Sequence, residues 1–154
     1  KIIIKEHPAQ YTTKWNNTFR DINFYKEIAK FNNVIFAPID RDSFELIDKA
    51  LCVSTINGTV IFEAAARGKP TISFGPKSQT FKWHNSHSVN NFDDIYKALS
   101  SILQNKDKYV DKNEDIIKSF ENYLSEKIAN GFETSLLNVS FELFEYLCTC
   151  NLKK

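Results

Sequence analysis

The stretch Leu51-Cys52-Val53-Ser54-Thr55-Ile56-Asn57-Gly58-Thr59-Val60-Ile61-Phe62-Glu63-Ala64-Ala65-Ala66-Arg67-Gly68-Lys69-Pro70-Thr71-Ile72-Ser73-Phe74-Gly75 decides the fold. Leu51 to Ser54 has the short, apolar character of a buried strand. A polar turn containing Gly58 follows. Val60 to Arg67 reads as a helix rich in small residues, with Gly68 placed as a left-handed C-terminal stop and Pro70 just beyond it. Thr71 to Phe74 is the next strand. A strand, a helix and a second strand joined by such short links form a right-handed crossover between parallel strands.

The same alternation continues upstream. Ile2-Ile3-Ile4 is a β-branched run ended by Glu6-His7-Pro8, and its unbroken apolar character predicts a strand covered on both faces. From Phe19 to Phe31 the apolar positions Ile22, Phe24, Tyr25, Ile28, Ala29 and Phe31 recur at helical spacing. Val34 to Ala37 is another buried-type strand, stopped by Pro38, and Ser43 to Ala50 fits a two-turn helix. Downstream, Pro76 to Asn91 is polar and without period, so it reads as a long loop. Amphipathic helices are predicted at Asp93 to Leu103, Glu114 to Asn130 and Ser135 to Cys150. The expectation is an α/β fold, a doubly wound parallel sheet with C-terminal helices, and residues 1–154 as a single domain.

Composition narrows the function. The 154 residues are 42% hydrophobic, enough for one buried core. Twenty basic and nineteen acidic residues leave a formal charge of +1. No overall field draws the chain to nucleic acid, and any recognition of phosphate must be local. No apolar run has the roughly 18 residues of a membrane-spanning helix. The three cysteines, Cys52, Cys148 and Cys150, lack metal-ligand spacing, which predicts a reducing, cytoplasmic setting. The chain opens at Lys1 directly into an apolar run, so it reads as a piece of something larger.

In an open parallel sheet, ligands sit beyond the carboxyl ends of the strands. The turn Ser54-Thr55-Ile56-Asn57-Gly58-Thr59 offers hydroxyl donors, a glycine that admits close backbone approach, and the leading N–H groups of a helix. A helix dipole contributes about 0.3 to 1 kcal/mol to an anion, and a hydrogen bond to a charged group roughly 1.5 to 3 kcal/mol. The competing reading is that Asn57 or Thr59 only caps the helix and Gly58 only turns the chain. Glu63 tips the balance, because a carboxylate in an apolar helix needs a partner and a ribose diol is a suitable one. His7, at the end of the first strand, is a second candidate anchor for phosphate. No catalytic base is identified.

Lys5-Glu6-His7-Pro8, then Ser54 to Ala64, then Gly68-Lys69-Pro70-Thr71-Ile72-Ser73-Phe74-Gly75, resemble the C-terminal half of capsule polysaccharide biosynthesis proteins over about residues 1–103. That family comprises GT-B glycosyltransferases, several of which use CMP-linked Kdo or sialic acid. The resemblance implies that His7 contacts the donor's phosphate, that the Ser54 to Thr59 turn binds the nucleotide phosphate, and that Glu63 faces the ribose. It implies a nucleotide-sugar donor, CMP-linked for preference, and a saccharide or glycolipid acceptor. The setting is the cytoplasm or the inner membrane face, and no cofactor is required. Relative to the family, one strand and helix and the whole acceptor domain are expected to lie outside this chain. The fragment alone is therefore expected to bind donor weakly without turnover.

Asp40-Arg41-Asp42 has the Asp-x-Asp form of a metal site, but Asp42 is also placed to cap the helix from Ser43, with Glu45 completing a capping box. The cap is the preferred reading, and no metal site is assigned. Trp83, His84 and His87 are not assigned a role. A teichoic-acid (CDP-glycerol) type polymerase and a non-hydrolysing sugar-nucleotide 2-epimerase share the fold and a similar turn. A non-catalytic α/β module is the alternative of another class. A receiver-like module would place acidic residues at the strand ends, where this chain has His7, Pro38 and Ser54.

Overall fold

A computed structural model describes residues 1–7, 21–56, 58–74, 85–105 and 113–129. The chain divides into two compact units, Lys1–Leu46 and Ile47–Lys154. The fold is α/β, with parallel strands and flanking helices in each unit.

In the first unit, β1 (Ile2–Ile4) pairs in parallel with β2 (Val34–Phe36), Ile2 opposite Val34 and Ile4 opposite Phe36. Between them runs α1 (Ile22–Ala29), started by Asp21, whose carboxylate accepts from the N–H of Phe24 at 2.9 Å. Tyr25 of α1 lies edge-on to Phe36 with ring centroids 5.7 Å apart. α1 therefore covers the face of the pair that carries Phe36. Among the described residues the other face is open, with Ile3 52% exposed and Ile35 45%. This departs from the expectation of strands covered on both sides. An apolar run records that a strand avoids water in its final setting, and it does not identify what covers it.

α2 (Ser43–Lys49) starts at Asp42, whose carboxylate accepts from the N–H of Phe44 at 2.9 Å. The Glu45 carboxylate takes the Arg41 guanidinium at 2.6 Å. Asp42 thus serves as the helix cap, and Arg41 neutralises the adjoining Glu45.

The second unit holds a three-stranded parallel sheet in the order β3 (Val53–Thr55), β4 (Thr71–Ser73), β5 (Ser86–Ser88). β4 is central and buried at all three residues. The strand β5 lies inside the segment read as a long loop. Its sequence, Ser-His-Ser, carries no apolar alternation. It is a strand because the open edge of β4 supplies its partners, with Thr71 opposite Ser86 and Ser73 opposite Ser88.

Helices pack on both faces of this sheet. Ile72 joins Val89, Ala98 and Ile102, the last two from α4 (Phe92–Gln104). On the other side α3 (Val60–Ala66) and α5 (Asn113–Ala129) build a second cluster from Ile61, Phe62, Ala65, Ala66, Ile116, Phe120 and Leu124. The rings of Phe62 and Phe120 sit 4.6 Å apart. Asn91 caps α4 through the N–H of Asp94 at 3.0 Å. The predicted helix at Ser135 to Cys150 lies outside the described residues.

α3 ends as its sequence requires. Gly68 has φ +70°, the left-handed conformation that glycine adopts without strain. Its N–H donates to the Ala65 carbonyl at 2.8 Å, and that of Lys69 reaches the Ala64 carbonyl at 2.9 Å, a Schellman stop. Arg67 forks onto both carboxylate oxygens of Asp48 in α2. Lys69 Nζ donates to the carbonyls of Asp48 at 2.7 Å and Ala50 at 3.1 Å. The carbonyls left open at the end of α2 are thereby satisfied by side chains.

Candidate functional site

The turn after β3 is assembled by the crossover described above. β3 stops at Thr55, whose carbonyl still accepts from the Phe74 N–H at 2.9 Å. Because side chains alternate along a strand, Ser54 shares a face with its partner Ile72, while Thr55 shares one with Ser73. Thr55 is half-buried and Ser54 exposed. Gly58 closes against Thr55: a Cβ added there would lie 3.0 Å from Thr55 Oγ1 and 3.5 Å from Val60 Cγ1. Gly58 has no positive φ, so glycine is needed here for space rather than for backbone freedom. Asn57 lies outside the described residues.

Thr59 does not act as a helix cap. Its backbone is already helical, at φ −61° and ψ −18°, and its side chain makes no capping hydrogen bond. The hydroxyl instead lies against the carboxylate of Glu63, one turn along α3, where it favours the ionised form. Among the described residues, no acceptor takes up the N–H groups of Gly58, Thr59 or Val60, while those of Ile61 and Phe62 go to the Gly58 and Thr59 carbonyls.

Glu63 is half-buried, between Phe62 at 1% exposure and Ala64 at 0%. Burial pushes its carboxyl above the ordinary value, and the Thr59 hydroxyl pulls in the opposite direction. The partner that the sequence required for Glu63 is thus supplied, at least in part, from within the chain. Thr55, Gly58, Thr59 and Glu63 are brought together, and Ser54 stands on the opposite face of the strand.

His7 lies in the first unit, three residues beyond the end of β1, and is exposed. Lys5 and Glu6, just before it, are engaged with Ile39 and Tyr25. The sequence reading of this segment singled out His7 and gave Lys5 and Glu6 no role of their own. Their roles depend on partners more than ten positions away.

A hollow of about 300 Å³ is lined by Lys49, Ala50, Leu51, Gly68, Lys69, Pro70 and Ile102. It opens at the amino ends of β3 and β4, the end opposite to the turn, and Lys69 is already committed to two carbonyls there. Ligands of parallel sheets bind at the carboxyl ends, so the turn remains the better candidate. Among the described residues, no three His, Cys, Asp or Glu side chains gather as metal ligands. Nor is any described helix long and apolar enough to cross a membrane.

Parallel strands with flanking helices, and a hydroxyl-rich turn at a strand's carboxyl end, define an α/β protein of the Rossmann-like class. The family model for capsule polysaccharide biosynthesis proteins matches residues 1–82, and the chain belongs to that family. Both strand-exit segments, at His7 and at Thr55 to Thr59, fall within the matched span. The match stops short of the 103 or so residues over which the sequence resembles the family. Membership places the chain in capsule polysaccharide biosynthesis, a chemistry of sugar substrates. No curated protein and no solved structure matches the chain.

Proposed function

We propose that this chain is the donor-binding half of a GT-B glycosyltransferase of capsular polysaccharide synthesis, taking its sugar from a CMP-linked donor. The observation that carries this reading is the behaviour of Thr59. A threonine at a helix start ordinarily caps it, and here the hydroxyl is turned to Glu63 instead. The capping account of Thr59 is thereby weakened, and Asn57, the other residue that could cap, lies outside the described residues. Among the described residues the leading N–H groups have no acceptor, which supports a ligand there, and Gly58 keeps the approach clear of a side chain.

In this reading Thr55, Asn57, Gly58 and Thr59 at the exit of β3 hold the nucleotide phosphate, with Ser54 turned away on the other face of the strand, His7 donates to the donor's phosphate, and Glu63 faces the ribose. Their contribution to transfer is electrostatic. Donors fixed in place before reaction stabilise the negative charge that grows on the departing nucleotide phosphate. The acceptor is a saccharide or glycolipid, and the reaction takes place in the cytoplasm or at the inner membrane face.

Calorimetric titration with CMP, CDP and UDP tests the proposal. CMP is expected to bind tightest, and Thr59→Ala to weaken it at least several-fold, because the hydroxyl would exchange its Glu63 acceptor for a phosphate oxygen when the donor is bound. The domain should stay folded, losing only the bond to Glu63, about 0.5 to 1.5 kcal/mol in thermal unfolding. Unchanged CMP affinity in Thr59→Ala would remove the turn from the site, and a preference for UDP would overturn the choice of donor.

A further inference from the structure

The exit of β1 is tied at three consecutive residues, twice to the segment after β2 and once to α1. The Ile4 carbonyl accepts from the Ala37 N–H at 2.8 Å, extending the ladder one step past β2. Lys5 Nζ donates to the Ile39 carbonyl at 2.9 Å, bridging to the loop after β2. The Glu6 carboxylate accepts from the Tyr25 hydroxyl of α1 at 3.3 Å. Tyr25 is itself fixed, edge-on to Phe24 at 5.3 Å and to Phe36 at 5.7 Å. The next residue is His7, and the proline after it in the sequence confines the His7 backbone to extended conformations.

We propose that Lys5 and the Glu6–Tyr25 pair are positioning residues that present the His7 imidazole to an anionic ligand. This rests on the reading of His7 as a contact to the donor's phosphate. The Lys5 bridge fixes the backbone just before His7. The Tyr25 hydroxyl ties one Glu6 carboxylate oxygen to α1, fixing the residue immediately before His7. A histidine on an untethered strand end would lose part of its binding energy to ordering, and these ties are already in place before the ligand arrives.

The test uses the full chain and Tyr25→Phe, which keeps the ring packing on Phe36 and removes only the hydroxyl. CMP affinity should fall roughly three- to tenfold, the effect of one hydrogen bond, and the imidazole NMR resonances of His7 should shift. In a His7→Ala background, Tyr25→Phe should have no further effect on affinity. Lys5→Met should weaken CMP binding in the same way, with Lys5→Arg restoring it. Equal losses from Tyr25→Phe with and without His7 would overturn the proposal, as would His7 resonances that do not move. If His7→Ala leaves CMP affinity unchanged, the phosphate reading of His7 fails, and the resonances still decide whether the ties orient the ring.

Discussion

β1 is three isoleucines, and β4 is a threonine, an isoleucine and a serine, yet the apolar strand is the exposed one. Ile2 and Ile3 are more than half exposed, whereas Thr71, Ile72 and Ser73 are all buried. β4 has a strand on each side and helices over both faces. β1 has one strand partner among the described residues and α1 over one face. Burial follows a strand's place in the sheet order, and its own composition decides how well that place suits it.

The largest expected effect separates the two regions by cavity formation. Phe62→Ala, in the cluster with Phe120, should cost about 3 to 5 kcal/mol in urea unfolding. Ile3→Ala, on the open face, should cost under about 1 kcal/mol, because most of its surface loses little on truncation. A cost at Ile3 comparable to that at Phe62 would show that the open face is covered in solution.

A smaller effect of opposite sign is expected at β4. Thr71 Oγ1 is buried and, among the described residues, without a hydrogen-bond partner, and a stranded polar group of this kind costs about 1 to 3 kcal/mol. Thr71→Val keeps the shape and removes the hydroxyl. It should raise the urea midpoint, with a gain on the order of 1 kcal/mol. A loss of stability would mean that the hydroxyl has a partner in solution.

The smallest effect depends on pH. Burial raises the folded-state carboxyl of Glu63 above its unfolded value. Below the unfolded pKa both states are protonated and the residue costs nothing. As pH rises from there through the folded pKa, the unfolded state ionises first, and stability is progressively lost. Glu63→Gln should therefore match the parent in acid and exceed it at neutral pH, as read from unfolding midpoints across that range. A difference independent of pH would assign the effect to packing instead.

The parts of the fold that were legible in the sequence are those where a local rule is sufficient. Gly68 announces the end of α3, because a left-handed residue is needed there. Asp42 announces the start of α2, because its carboxylate serves an N–H two residues away. β5 was not legible, since Ser86-His87-Ser88 becomes a strand only through the edge of β4. At the site, the turn and Glu63 stood out by residue type. The Thr59 to Glu63 bond did not, because threonine at a helix start has a more usual use. Tyr25 could not be found either, since its partner Glu6 is nineteen residues away.

The two-turn helix α3 is secured unevenly along its length. Its far end is fastened by the Gly68 and Lys69 amides and by the Arg67 and Lys69 side chains gripping Asp48 and Ala50. Its near end has the Thr59 hydroxyl turned to Glu63 and, among the described residues, no side-chain cap. So short a helix has little stability of its own, and its opening in hydrogen exchange should begin at the Thr59 end, with Gly68 and Lys69 exchanging more slowly than Ile61. A ligand seated on that end would supply the closure the helix lacks, and its occupancy could then be followed through the exchange rate of a few amides.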